Sequence, residues 1–253
     1  MSRQPYSRQI EFESIANFRD LGGYQTSDGK TVSWRRLFRS GQLHEMTQND
    51  FGQLREHIGL ATVIDLRSTY EIERQGIGLL SGSGIRYHNI SFISDGGNRT
   101  ANEKRYKGLT DMSGLYLNLM RQKDFGKRLI EALEIVAATE NQPLVFHCSA
   151  GKDRTAILAA VLLGVLGVRS QDIIEDFCLS APYTVVLLKR MQGDPRWAED
   201  AKALPDFFWK VSPDSMALFL NTINKEHGSI RGYLEAQGAE ITLAPRLEKS
   251  LLS

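Results

Sequence analysis

The sequence predicts an α/β fold, in which a central, mostly parallel sheet is flanked by helices and followed by a helical C-terminal third. Short apolar runs at 61–67 and 144–146 are typical of buried strands. Segments of helical periodicity alternate with these strands, and helical patterns dominate from residue 153 onward. The length favours a single domain over residues 1–253.

The first half of the chain supplies most of the predicted strands. Turn signals at Gly22-Gly23 and Asp28-Gly29 predict a short hairpin within residues 17–42. Residues 47–58 predict a helix capped by Thr47, and strands follow at 61–67 and 85–93. The polar, glycine-bearing residues 94–113 predict a long loop over a site, and a helix is expected over about 114–139.

The second half begins with a strand at 144–146 and a helix from Asp153 to about Gly167, apolar on nearly every side and therefore buried. Further helices are predicted at about 170–180, 182–192, 213–227 and 229–236. Two proline breaks and several aromatic residues lie between two of these helices. We therefore predict a helical lid insertion over about 182–212.

The composition excludes several classes of protein. The 31 Lys and Arg residues nearly balance the 30 Asp and Glu residues, so a net charge of +1 gives no general attraction to nucleic acid or anionic membranes. Cys148 and Cys178 are the only cysteines, too few for a disulfide scaffold, and no Cys/His cluster indicates zinc. We expect no metal or cofactor.

The sequence also predicts a reduced, cytoplasmic protein without integral membrane association. The N-terminus lacks an apolar core of signal-peptide length, although export without a cleaved signal stays open. The most apolar run, residues 156–168, covers about 13 residues, fewer than a bilayer requires.

The most informative segment is HCSAGKDRT at residues 147–155, which we name the cysteine loop; it lies between a predicted strand and the buried helix. Its N–H groups and the following helix N-terminus favour an anion. The fork of Arg154 can bind two phosphate oxygens, and Gly151 permits backbone angles that a side chain forbids. The same positive field favours Cys148 as a thiolate, which Thr155 can stabilise by a hydrogen bond. The loop residues predicted to bind substrate are Ser149, Ala150, Gly151, Lys152 and Thr155.

The segment has three alternative interpretations. A buried structural cysteine explains Cys148 alone but not the whole pattern. A Walker loop is excluded because Phe146 and Asp153 stand where it needs Gly and Ser or Thr. A sulfurtransferase cysteine loop is usually one residue shorter.

Together with NFRDLGG (17–23), LFRSG (37–41) and DLRS (65–68), the cysteine loop resembles the atypical tyrosine–protein phosphatases of bacteria and fungi. The resemblance extends from about residue 17 to 234, with Ala156 standing where many relatives have Gly. It implies a cysteine-phosphatase-like fold with Cys148 as nucleophile, Arg154 as phosphate clamp, and Lys152 and Asp153 as the loop pair of that family. It also implies phosphotyrosine, phosphoserine/threonine or phosphoinositide substrates.

The general acid is less clearly defined by the sequence. Asp153, Asp95 and Asp65 are candidates. Asp153 could instead brace the loop by pairing with an arginine of residues 17–20 or 38–41, and Asp65 could pair with Arg67. Lys152 either contacts phosphate groups of highly charged substrates or is a solvated lysine at the rim.

The sequence therefore predicts a phosphatase that hydrolyses phosphate monoesters through a phosphocysteine intermediate. A catalytically silent phosphate-binding module is the main alternative, and sulfur transfer or arsenate reduction is a second. The expected partner is a phosphorylated protein or phosphoinositide, with no nucleic acid. Cys178 is expected in the core or as a reversible disulfide partner of Cys148. The aromatic residues Phe207, Phe208 and Trp209 are expected to pack internally or to stack on a phosphotyrosine ring.

Overall fold

A computed structural model describes residues 6–93, 98–193, 198 and 202–253. These residues form a five-stranded sheet with the order β1-β2-β5-β3-β4, in which only the β1–β2 pair is antiparallel. The predicted α/β fold with a mostly parallel sheet is confirmed. The strands are β1 (Arg19–Asp20), β2 (Leu37–Ser40), β3 (Thr62–Asp65), β4 (Arg86–Asn89) and β5 (Leu144–His147).

Strand β5 lies at the centre of the sheet and leads into the cysteine loop. Its side chains alternate between the two cores: Leu144 and Phe146 pack on one face, whereas Val145 packs on the other. The last residue of β5, His147, is in register with the last residues of β2 and β3. Cys148 therefore lies at the carboxyl edge of the parallel strands. Open α/β sheets bind ligands at this edge.

Helices cover the sheet and form the C-terminal third. The predicted buried helix is α6, whose largely apolar side chains lie almost entirely in the core. The helices are α1 (Gln48–Gly52, continuing as a π-helical segment at Gln53–Ile58), α2 (Thr69–Gln75), α3 (Arg99–Tyr106), α4 (Met112–Met120), α5 (Lys123–Ala137), α6 (Asp153–Val165), α7 (Ser170–Cys178), α8 (Ala181–Gly193), α9 (Pro213–His227), α10 (Ile230–Ala236) and α11 (Leu243–Leu251).

The secondary-structure predictions differ from the structure in several places, and helix α2 was not predicted. The predicted loop at 94–113 contains α3, which Asn98 caps by accepting a hydrogen bond from the N–H of Ala101. The predicted helix at 114–139 is two helices, α4 and α5, because the chain turns at residues 121–122. Helix α11 was not predicted, although its leucines at 243, 247 and 251 have helical spacing and are buried.

Short 3₁₀ turns occur at Gly78–Leu80, Thr139–Asn141 and Asp206–Trp209. Helix α8 overlaps the predicted lid, and the turn at Asp206–Trp209 falls within it. The lid over 182–212 and the single domain over 1–253 stay predictions. In the described ranges, no helix is both long and apolar enough to cross a membrane.

Candidate active site

The cysteine loop turns sharply at Gly151, which has a φ of 65°. A Cβ atom at this position would lie 2.3 Å from the carbonyl oxygen of Ser40. Because the neighbouring atom is backbone and the conformation is left-handed, only glycine fits. The tight approach places the loop directly against the end of β2.

Two side chains from the N-terminal segment hold the carbonyl groups of this loop. The Nδ2 atom of Asn17 donates to the carbonyls of Ala150 (3.1 Å) and Gly151 (3.0 Å). The Nη2 atom of Arg39 donates to the carbonyls of Gly151 (2.8 Å) and Lys152 (3.3 Å). In a trans peptide the N–H points opposite to the C=O, so these contacts turn the N–H groups of residues 151–153 away from Asn17 and Arg39.

A buried carboxylate on α7 fixes the arginines beneath the loop. Asp176 accepts from Nε of Arg19 (2.9 Å) and from Nη1 of Arg39 (2.6 Å). Burial alone would raise the pKa of Asp176, but the two guanidinium groups hold it well below its usual range. Burial and the neighbouring Arg19 lower the pKa of Arg39 to about 10. Two arginines facing one carboxylate leave net positive charge under the loop.

The contacts of Asp176 exclude one role that the sequence left open for Asp153, which is pairing with an arginine beneath the loop. The arginines of residues 17–20 and 38–41 do not pair with Asp153, because Asp176 occupies both. The sequence analysis missed Asp176, although this charged residue lies between the apolar positions Ile173 and Phe177 of a predicted helix. A charge on a buried helix face is the signal that could have found it.

Cys148 lies at the base of a cavity of about 380 Å³. Its Sγ accepts a hydrogen bond from Oγ1 of Thr155 at 3.2 Å. Ser149, Ala150, Asp153 and Arg154 line the same cavity. Three other loop residues named from the sequence, Gly151, Lys152 and Thr155, are not part of its lining.

Arg154 is paired with Glu71, a residue that the sequence analysis missed. Its Nη1 and Nη2 atoms donate to the two carboxylate oxygens of Glu71 at 2.6 and 2.9 Å. The hydroxyl of Ser149 also donates to Glu71 at 2.5 Å. Burial alone would raise the pKa of Glu71, but Arg154 and these hydrogen bonds lower it to about 2.

The sequence contained a partial signal for Glu71. Ser68 and Glu71 form a capping box at the start of α2, with the Glu71 carboxylate accepting from the backbone N–H of Ser68. The S-x-x-E spacing is a recognised mark of a helix start. The same carboxylate therefore caps α2 and orients Arg154.

Asp153 faces the cavity and is held from one side by Tyr116. The Tyr116 hydroxyl donates to Oδ1 of Asp153 at 2.6 Å, and Nζ of Lys152 lies 3.5 Å from Oδ2. Burial and the charge of Asp153 raise the pKa of Tyr116 well above its usual range. Tyr116 therefore remains a neutral hydrogen-bond donor to this carboxylate.

The two other candidate acids have different positions. Asp65 is completely buried outside the cavity lining, where it pairs with Arg67 (2.7 Å) and accepts from the hydroxyl of Tyr87 (2.8 Å). This geometry matches the bracing role considered for Asp65 and gives it no access to a leaving group. Asp95 lies outside the described residues.

The cavity above the cysteine loop has mainly apolar walls. The ring of Phe208 forms part of the wall and packs edge-on against Tyr106, with ring centroids 5.8 Å apart. Over the ranges that the structure describes, no group of three or more His, Cys, Asp or Glu residues could hold a metal ion. The other apolar lining residues are Ile93, Leu115, Leu119, Ile157, Leu187 and Leu204.

The cysteine loop joins the carboxyl end of a parallel strand to the N-terminus of a helix, which is where many α/β proteins bind phosphate groups. The family model described as "Tyrosine phosphatase family" matches residues 10–253. The chain therefore belongs to the tyrosine phosphatase family and is a phosphoric monoester hydrolase.

Two named proteins of similar sequence align with most of the chain. A Cupriavidus necator protein, named provisionally as a tyrosine-protein phosphatase, is 32% identical over 233 residues, covering 89% of this chain and 82% of its own. The triple specificity protein phosphatase PtpB of Mycobacterium tuberculosis is 26% identical over 280 residues, covering 96% and 98%.

Solved structures show a more distant similarity. The core catalytic domain of the PP-IP phosphatase SIW14 from S. cerevisiae, in complex with citrate, has a TM-score of 0.41 and 20% identity, with 77% of this chain and 98% of that chain covered. A substituted form of P. aeruginosa TpbA in complex with pTyr has a TM-score of 0.39 and 17% identity, with 88% and 99% covered.

Proposed function

We propose that the chain hydrolyses phosphate monoesters through a phosphocysteine intermediate on Cys148, with phosphotyrosine proteins as its main substrates. The observation that carries this proposal is the convergence of Cys148, Arg154 and Asp153 on one cavity. These side chains supply the nucleophile, the phosphate clamp and the proton donor that a two-step transfer needs.

In the first step, the Cys148 thiolate attacks phosphorus and the bond between phosphorus and the leaving oxygen breaks. Asp153 is the proposed donor of the proton that this oxygen takes up. Tyr116 holds one carboxyl oxygen of Asp153, which fixes the direction of the group. The N–H groups of the loop and Arg154 stabilise the equatorial oxygens of the transition state.

In the second step, water attacks the phosphocysteine and the sulfur–phosphorus bond breaks. Asp153, now ionised, accepts a proton from the water. The hydroxyl of Thr155, 3.2 Å from Sγ, stabilises the thiolate as it leaves. Inorganic phosphate is released and the starting state of the enzyme returns.

The cavity walls favour an aromatic leaving group. Phe208, Tyr106 and further apolar side chains line much of the cavity that contains Cys148, whose polar lining residues include Arg105 and Lys189. An aryl ring gains from contact with such a surface, whereas a polar sugar or inositol ring loses hydration there. The name of the Mycobacterium tuberculosis relative supports some additional activity on other phosphate esters.

The proposal is tested with two aryl phosphates of different leaving-group acidity, assayed without added metal. We expect wild type to turn over both and Cys148→Ser to turn over neither. Asp153→Asn should lose about 100-fold in kcat on the poorer leaving group and much less on the better one, because only the poor leaving group needs a proton in the transition state.

Three results would contradict the proposal or one part of it. Turnover by Cys148→Ser equal to that of wild type would exclude the thiolate as nucleophile. Tight binding of a phosphotyrosine peptide by wild type without hydrolysis would show a phosphate-binding module instead. Equal losses of Asp153→Asn on the two substrates would remove Asp153 as the acid.

A further inference from the structure

Lys152 lies in the middle of the cysteine loop, yet its side chain does not face the phosphate cavity. Only 2% of the residue is exposed. Its Nζ donates to the carbonyl oxygen of Phe208 and lies 3.3 Å from the carbonyl oxygen of Lys210. The solvated rim position considered from the sequence is therefore wrong.

The ammonium group of Lys152 has several partners in this position. Besides the two carbonyls, Nζ lies 3.5 Å from Oδ2 of Asp153 and 4.7 Å from the centroid of the Phe208 ring. Removing an ammonium from water is unfavourable unless hydrogen bonds and opposite charge replace the lost hydration. These contacts do so, which makes Lys152 part of the protein framework.

The segment that Lys152 binds also forms the aromatic wall of the cavity. Residues 206–209 make a single 3₁₀ turn, and the ring of Phe208 lines the cavity that contains Cys148. The ring also packs edge-on against Tyr106, which lines the same cavity. The contact between Lys152 and the backbone at 208–210 therefore joins the segment that carries Phe208 to the loop that carries Cys148.

We propose that Lys152 is a specificity-determining positioning residue, which ties residues 208–210 to the cysteine loop and so places the Phe208 ring against an aromatic leaving group. This inference rests on the proposed function for the identity of the substrate. It separates the roles of two adjacent loop residues: Asp153 acts on the leaving oxygen, and Lys152 orders the surface that receives the attached ring.

The experiment compares four variants on a phosphotyrosine peptide, with inorganic phosphate as a competitive inhibitor. Lys152→Met keeps the aliphatic stem and removes the ammonium, and Phe208→Ala removes the ring. The double variant tests whether the two effects are independent. Lys210→Met is the matched control, because this exposed side chain lies in the same segment and only its backbone carbonyl contacts Lys152.

We expect Lys152→Met to raise KM for the peptide about fivefold to tenfold, since the ring contact is made equally in ground and transition states. Because Nζ also lies 3.5 Å from Oδ2 of Asp153, its removal should also change kcat, so KM is the parameter that tests the inference. Phe208→Ala should give a similar increase. The double variant should be no worse than the poorer single variant. The inhibition constant of inorganic phosphate should stay unchanged throughout, because phosphate has no aromatic ring to contact Phe208.

Three results would overturn the inference. Weaker inhibition by inorganic phosphate in Lys152→Met would show that the ammonium contacts phosphate directly. A double variant whose KM increase equals the product of the two single increases would show that Lys152 and Phe208 act separately. An equal effect in Lys210→Met would reduce the result to a general loss of positive charge.

Two additional measurements separate this inference from other failures. Absence of turnover by wild type would reject the proposed function, but the peptide dissociation constants of the same variants in a Cys148→Ser background would still test Lys152. Amide hydrogen exchange at residues 207–210 should accelerate in Lys152→Met while exchange in α6 stays slow. If exchange at 207–210 in Lys152→Met were as slow as in wild type, the proposed role of Lys152 in holding this segment would be contradicted. Fast exchange in α6 would show unfolding.

Discussion

Two arginine–carboxylate groups lie on opposite sides of the cysteine loop. Beneath the loop, Arg19 and Arg39 share Asp176, and none of these side chains is more than 2% exposed. In the cavity, Arg154 and Glu71 form a two-bond pair whose side chains are 13% and 11% exposed. The chemistry of the groups is the same, but their access to a ligand differs.

This difference indicates two functions for one kind of interaction. The group around Asp176 cannot reach a substrate, and Arg39 instead holds the carbonyls of Gly151 and Lys152. The pair in the cavity is open to exchange, because a phosphate dianion can compete with Glu71 for the same guanidinium donors. The buried group should therefore control stability, and the cavity pair should control turnover.

The largest expected effect is on the cavity side. Arg154→Lys keeps a positive charge near Glu71 but loses the planar fork. We expect kcat/KM on an aryl phosphate to fall about 1000-fold, as for other losses of transition-state charge stabilisation, with little change in melting temperature. Arg246→Lys is the control, since Arg246 pairs with Glu134 on the surface. A loss of less than tenfold in Arg154→Lys would contradict the clamp role.

The next effect is on the buried side. Asp176→Asn leaves two buried guanidinium groups without a full counter-charge, and we expect the free energy of unfolding to fall by about 3 kcal/mol. Denaturant titration measures this change. Asp172→Asn is the control on the same helix: Asp172 pairs with the exposed Arg169, and its loss should cost about 0.5 kcal/mol or less. Equal losses in the two variants would show that the buried group has no special structural role.

The sequence predicted the parts of this site that are local in the chain. The strand at 144–147, the cysteine loop and helix α6 follow one another directly, so apolar periodicity and the HCSAGKDRT spacing were sufficient. The carboxylates that serve the two arginine groups were missed. Glu71 is 83 residues from Arg154, and Asp176 is 137 residues from Arg39. Such pairs are created by the tertiary fold, and no period or spacing encodes them.

The position of Lys152 has a similar explanation. Lysine in a glycine-bearing loop is usually solvated, and its sequence neighbours give no sign of the carbonyls at 208 and 210. Helix α3 was hidden for a different reason, since its residues are mostly polar. Only Asn102 and Tyr106, four positions apart, are buried there.

The smallest expected effect concerns pH and the pair in the cavity. Arg154 holds the pKa of Glu71 at about 2, below the ordinary value of 4.5. A carboxyl group whose pKa is lowered by folding stabilises the native state fully above its ordinary pKa, and this contribution disappears as the pH falls toward the folded value. The contribution of Glu71 should therefore be complete above about pH 5 and decrease between pH 4.5 and 2.

Glu71→Gln should be less stable than wild type by about 1 kcal/mol at pH 6, a difference that shrinks as the pH approaches 2. Denaturant titrations at several pH values measure it, with Glu73→Gln, an exposed change on the same helix, as control. The difference between wild type and variant isolates Glu71 from other carboxylates that titrate in this range. A difference independent of pH would mean that capping of α2, and not the charge paired with Arg154, is what Glu71 contributes to stability.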